Sequence, residues 1–122
     1  MKYIKLLEDF NTGYTRVLPR DFNARFLNSK LVFFTKEEIQ TIEKLYEDHG
    51  IKCNFESESG ASRIGSWLPH KDVKSLKKYL RMEKFDDEWF LVTDYPFYYA
   101  CDQMEGLISL LKSLMPEKNT HI

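Results

Sequence analysis

The sequence predicts a small α+β domain, an antiparallel sheet of about four to six strands with about three helices packed mainly on one face. Three observations carry that expectation. The last third, DDEWFLVTDYPFYYACDQMEGLISLLKSLM, sets two short apolar runs around a Tyr95-Pro96 turn and follows them with a helical stripe. A T-K-E-E capping box at Thr35 opens another periodic stretch. The strand-like runs are joined by connections too short for parallel crossovers, so neighbours should pair antiparallel.

Residues 2–7 read as a short strand, Asn11-Thr12-Gly13 as a turn, and 14–18 as the returning strand, stopped by Pro19. Phe22 and Phe26 share helical spacing, which suggests one helical turn. Residues 31–34 form a brief apolar run, read as a buried strand. Helix 35–49 follows, with Ile39, Ile42, Leu45 and Tyr46 on one stripe, His49 in the last turn and Gly50 just past the end.

Residues 51–57 alternate: Ile51, Cys53 and Phe55 face one way, Lys52, Asn54 and Glu56 the other. The polar loop ESESGAS leads to a second strand at 63–68, which makes 51–68 a hairpin. Pro69 suits the first turn of a further helix, with Val73, Leu76 and Leu80 (and Tyr79) as its buried stripe. The C-terminal hairpin pairs 89–93 with 97–100. Asp102 and Glu105 stand in capping-box spacing before a helix whose core face is Leu107, Leu110, Leu111 and Leu114, widened by Met104 and Ile108. Residues 1–115 are expected to form a single domain and 116–122, after Pro116, a flexible tail.

Composition agrees with a packed core, because 43% of the 122 residues are hydrophobic and 30% charged. Nine Phe, seven Tyr and two Trp are more rings than so small a domain can bury, so some are expected on the surface. A net charge of -1 argues against a protein held mainly by nucleic-acid phosphates. Cys53 and Cys101 are too few for a disulfide framework and read as reduced, packed thiols. The charged start MKYIKLLEDF has no signal-peptide core, and no apolar run matches a bilayer, so a cytoplasmic location is expected.

Each chemical motif has a simpler structural reading. Cys53, Cys101, His49, His70 and His121 contain no close ligand pair, so no metal or other cofactor is expected. Gly60 to Ser66 has phosphate-loop spacing but lacks the lysine that contacts the phosphates. Ser62 lies one residue out of nucleophile-elbow spacing. Cys101 precedes a helix N-terminus, where its thiol would need His49 or His70 as a base, and Asp102 opposes thiolate formation. The acids Asp86-Asp87-Glu88 are contiguous, unlike the separated acids of a metal-dependent nuclease site, and with Asp94 they read as a solvated turn.

Two basic groups and one aromatic run point to binding. Lys71, Lys74, Lys78 and Arg81 fall on one face of the helix expected after Pro69. Arg16, Arg20, Arg25 and Lys30 lie among Tyr14, Phe22 and Phe26. In the run Tyr95, Phe97, Tyr98 and Tyr99, strand alternation puts Phe97 and Tyr99 on one face and Tyr98 on the other, with Tyr95 at the turn. The leading expectation is a non-catalytic binding or regulatory protein that meets another protein through a surface including these four rings. The alternative is a nucleic-acid-binding accessory protein using the basic face at 71–81. A small enzyme working through Cys101 or the 86–88 acids ranks third.

Overall fold

A computed structural model describes residues 13–18, 20–21, 26, 28–55, 62–70, 72–73, 75–86 and 89–115. The expected strand at 2–7, the polar loop at 56–61, the tail, and Phe22, Arg25, Lys71 and Lys74 lie outside the described residues. The strands are β1 (Thr15–Val17), β2 (Leu31–Val32), β3 (Asn54–Phe55), β4 (Arg63–Pro69), β5 (Lys77–Phe85), β6 (Trp89–Asp94) and β7 (Phe97–Cys101). Among the described residues the two long helices are α1 (Lys36–Asp48) and α2 (Met104–Leu114), and Arg20, Asp21 and Phe26, in the segment where a helical turn is expected, are also helical. All pairings are antiparallel, in the order β1-β7-β6-β5-β4-β3, while β2 pairs with the last two residues of β5. No helix among the described residues is long and apolar enough to cross a membrane.

α1 forms where its sequence signals agree. Thr35 Oγ1 accepts from the Glu38 N–H at 3.1 Å, and Glu38 Oε1 accepts from the Thr35 N–H at 2.8 Å, which closes the capping box. Gly50 stands past the other end with φ +69°, a conformation that costs glycine little. Ile42, Leu45 and Tyr46 are buried from α1, as are Leu107, Leu110 and Leu111 from α2. They pack on Ile64, Leu68, Leu80, Met82, Phe90 and Val92, so both helices cover one face of the sheet. The opposite face has a smaller cluster of Val17, Leu91 and Ala100 beneath Phe26.

The helix expected after Pro69 does not form. Pro69 ends β4 opposite Lys77, and 77–85 is the longest strand of the sheet. A period of two outweighs the helical spacing of Val73, Leu76 and Leu80. Leu80 and Met82 enter the core on one side of β5, while Tyr79 and Arg81 lie on the other. Val73 and Leu76 are exposed in the β4–β5 connection.

Other elements are shorter or capped differently than expected. Of the described part of strand 51–57 only β3 is strand, and strand 31–34 shortens to β2, leaving Phe33 exposed and Phe34 buried. β1 pairs with β7. Gln103, not Asp102, is the N-cap of α2, and it makes no side-chain capping bond. Asp102 follows Cys101 directly and stands one residue too early for the cap.

Candidate binding surface at the hairpin end of the sheet

Register places two hairpin tips at one end of the sheet. Thr93 pairs with Arg81, so the β6–β7 turn at Tyr95-Pro96 lies on the same side as the β4–β5 connection. Val17 pairs with Tyr98, which brings Leu18 to that end too. The two hairpins are joined there by Lys78 Nζ and Asp94 Oδ2 at 3.2 Å, both on the helix-covered side.

Exposed apolar side chains concentrate at this end. Trp67, Val73, Leu76 and Tyr79 come from the β4–β5 hairpin, Tyr95 and Phe97 from the β6–β7 hairpin, and Leu18 from the end of β1. These are seven of the nine large hydrophobic residues that are exposed among the described residues; the other two are Leu31 and Phe33. Isolated surface hydrophobics need no explanation, but their gathering at one end of a sheet makes that end the candidate interaction surface.

The four aromatic residues of the β6–β7 hairpin divide their roles. Tyr95 is 81% exposed at the turn. Phe97 is partly covered by Arg16, whose guanidinium carbon sits 4.2 Å from the ring centre. Tyr99 packs edge-on against Tyr14, with ring centres 6.0 Å apart. Burial, and then the Asp94 carboxylate, pushes its phenol above the ordinary value. Tyr98 is on the other face, half-buried against the second cluster. The expected split of faces is therefore present, but both faces are covered: Tyr98 and Tyr99 support the hairpin, while Tyr95 and Phe97 present it.

The basic face expected at 71–81 is corrected by β5. In a strand, Lys78 and Arg81 point to opposite faces. Lys78 is engaged by Asp94, and Arg81 lies beside Glu83 on the outer face, Nε to Oε1 3.8 Å. Outer-face register brings together a group the sequence reading did not assemble: Trp67 opposite Tyr79, Gly65 opposite Arg81, and Arg63 opposite Glu83. The rings of Trp67 and Tyr79 lie 5.2 Å apart, centre to centre. Alternation within 63–69 was the signal for this, because it sets Trp67 opposite in facing to Ile64 and Leu68.

The connection above this group is organised by His70. Its Nδ1 accepts from the backbone N–H groups of Asp72 and Val73 at 3.1 and 3.2 Å, and its backbone N–H donates to the Leu76 carbonyl at 2.8 Å. Cys101 is 1% exposed at the far end of the sheet, opposite Phe90, so the fold does not pair it with His70. His49 caps α1, with Nδ1 3.0 Å from the Leu45 carbonyl oxygen.

Several other motif residues have structural partners. Asp86, with φ 55° at the β5–β6 turn, accepts from the Lys30 N–H through Oδ1 and donates its own N–H to the Lys30 carbonyl, each at 2.9 Å. Gly65 and Ser66 lie within β4 rather than at a strand-to-helix turn, and buried Ser66 donates to Tyr46 Oη at 3.0 Å. A cleft of about 500 Å³ between α1 and Ile51–Cys53 has Glu43, Lys44 and Glu47 on its rim. Burial, with Glu43 adding, pushes the Cys53 thiol up to about 12, so it stays protonated there. No three His, Cys, Asp or Glu side chains gather as a metal site among the described residues. Comparison with protein-family models, with curated proteins and with solved structures finds no match.

Proposed function

We propose that this is a non-catalytic binding or regulatory protein that engages another protein through the hairpin end of its sheet. One observation carries the reading: seven of nine exposed large hydrophobics among the described residues gather at that end. Tyr95 and Phe97 are the contact residues, and Arg16 over Phe97 adds a third side chain of a type enriched in binding hot spots. Tyr98 and Tyr99 act from beneath, holding the hairpin in shape. The reading places the protein in the cytoplasm, which fits a chain with only two cysteines, Cys53 and Cys101.

The test is site-specific cross-linking in cells. A photoreactive residue in place of Tyr95 is expected to capture a defined protein, and Phe97→Ala in the same chain to reduce that capture sharply. A photoreactive residue in place of Glu37, exposed on α1, supplies the comparison. Identical products from positions 95 and 37, or capture indifferent to Phe97→Ala, would overturn the reading.

A further inference from the structure

We propose that the outer face of β4 and β5 binds single-stranded nucleic acid, with Trp67 and Tyr79 stacking on bases and Arg63, Lys77 and Arg81 meeting the phosphates. The proposal goes beyond the protein-partner reading: it shares Trp67 and Tyr79 with the hydrophobic gathering that carries that reading, but uses neither Tyr95 nor Phe97, the contact residues named there. Phe97 lies on the helix-covered face of the sheet, and Trp67 and Tyr79 lie on the other.

The site is a ladder of cross-strand pairs on one face. Pro69 and Lys77 come first, then Trp67 and Tyr79, Gly65 and Arg81, and Arg63 and Glu83. Successive pairs on one face of a strand are about 6.6 Å apart. Cations therefore stand on both sides of the aromatic pair, within reach of a chain that crosses it.

The two rings remain accessible although they touch each other. Trp67 is 59% exposed and Tyr79 is 41% exposed. Tyr79 leans across β4 rather than standing away from the sheet. A Cβ built on Gly65 would fall 1.8 Å from its Oη, so only glycine leaves room for that pose. The result is a broad π surface lying along the sheet, which suits base stacking.

Charge names the ligand. The ladder holds three cations, Arg63, Lys77 and Arg81, against one acid, Glu83, in a chain whose net charge is -1. Lys78 is spent on Asp94 on the other face, and Lys71 and Lys74 lie outside the described residues and are not part of the site. Glu83, nearly buried, fixes Arg63 through Nε at 3.1 Å and stands 3.8 Å from Arg81 Nε. One carboxylate thus aligns two half-exposed guanidiniums beside the rings without cancelling both. A polyanion fits the cations, and one with open π faces fits the rings. A duplex conceals its base faces, which leaves a single strand.

The experiment is a fluorescence titration of the whole chain with an oligothymidylate of about a dozen nucleotides. A duplex of equal length and a polyglutamate peptide are run in parallel. Binding of the single strand is expected at low salt, weakening steadily as salt rises. Trp67→Ala and Tyr79→Ala should each weaken it about tenfold or more. Trp67→Phe, which keeps a stacking ring, should restore most of it. Lys77→Glu should weaken binding and flatten the salt dependence, and it touches no core residue if an aromatic variant fails to fold. Tyr95→Ala with Phe97→Ala should leave the titration unchanged. No binding at low salt, equal binding of duplex or polyglutamate, or wild-type binding by a folded Trp67→Ala variant would overturn the proposal.

Discussion

Lys84 on β5 donates to both carboxylate oxygens of Glu38 on α1, at 2.8 and 3.0 Å. Oε1 of the same carboxylate accepts from the Thr35 N–H. One side chain therefore caps the helix and neutralises an ammonium whose side chain is only 7% exposed and stands 5.7 Å from the Phe90 ring centre. The cap recognised in the sequence is also the clamp between the helix and the middle of the sheet.

Breaking that clamp from its two sides should give unequal results. Glu38→Ala leaves the Lys84 ammonium buried without its carboxylate and removes half of the capping box, a loss of about 3 kcal/mol. Lys84→Met removes the buried charge with it and keeps most of the apolar stem, so the loss should be about 1 kcal/mol or less. Chemical denaturation of the two variants checks the order. Equal losses would mean the pair contributes little beyond packing.

The Tyr46–Ser66 hydrogen bond offers a second asymmetry. Ser66 Oγ donates to Tyr46 Oη at 3.0 Å, and both residues are fully buried. Tyr46→Phe leaves a buried hydroxyl without that partner and should cost about 1–3 kcal/mol. Adding Ser66→Ala removes the stranded group, so the double variant should be more stable than the Tyr46→Phe single variant. Additive losses in a double-mutant cycle would contradict this account.

How much of this was legible in the sequence depended on whether local and long-range patterns agreed. At Thr35, Glu38 and Gly50, cap, stripe and terminator all belong to one segment, and α1 was readable to within a residue. At 69–81 they conflicted. Val73, Leu76 and Leu80 have helical spacing, and Pro69 fits a helix start, but pairing with β4 rewards the alternation of Leu80 and Met82. That reward comes from partners distant in sequence, such as Ser66 opposite Leu80 and Ile64 opposite Met82, and no local window contains it. The same limit applied to the surface. Tyr95, Phe97, Tyr98 and Tyr99 were legible as a two-faced strand, whereas the coverage of Tyr98 by the second cluster depends on Val17 and Phe26 from the other end of the chain.

Two glycines should respond oppositely to alanine. A Cβ on Gly106 in α2 would lie 2.1 Å from the Gly13 carbonyl oxygen, and neither backbone can yield without moving β1 or the helix. Gly106→Ala should cost about 2–3 kcal/mol. At Gly65 the obstacle is the Tyr79 side chain, which can swing toward solvent, so Gly65→Ala should change stability by less than about 1 kcal/mol. Its signature is a changed Trp67 emission as the neighbouring ring moves away.

Stability should decline on the alkaline side, and Cys53 should contribute to the first part of the decline. Burial, then Glu43, raises its thiol from 9.0 to about 12 in the folded chain. Burial likewise raises the phenols of Tyr46 and Tyr99 from 10.0. Each folded-state group holds its proton more tightly than the unfolded chain does. Below pH 9 both states are protonated and the contribution is complete. Above it the unfolded chain loses protons that the folded chain keeps, so stability falls as pH rises toward the folded values. Denaturation midpoints should therefore be flat from pH 7 to about 8.5 and fall beyond about 9. Cys53→Ala removes one of the two thiols that ionise first in the unfolded state, so the fall in stability between about pH 9 and 10 should become shallower. The informative quantity is the slope of that decline, because the substitution also changes packing and shifts the whole curve. An equally steep decline in the variant would show that the Cys53 thiol is not held protonated by the fold.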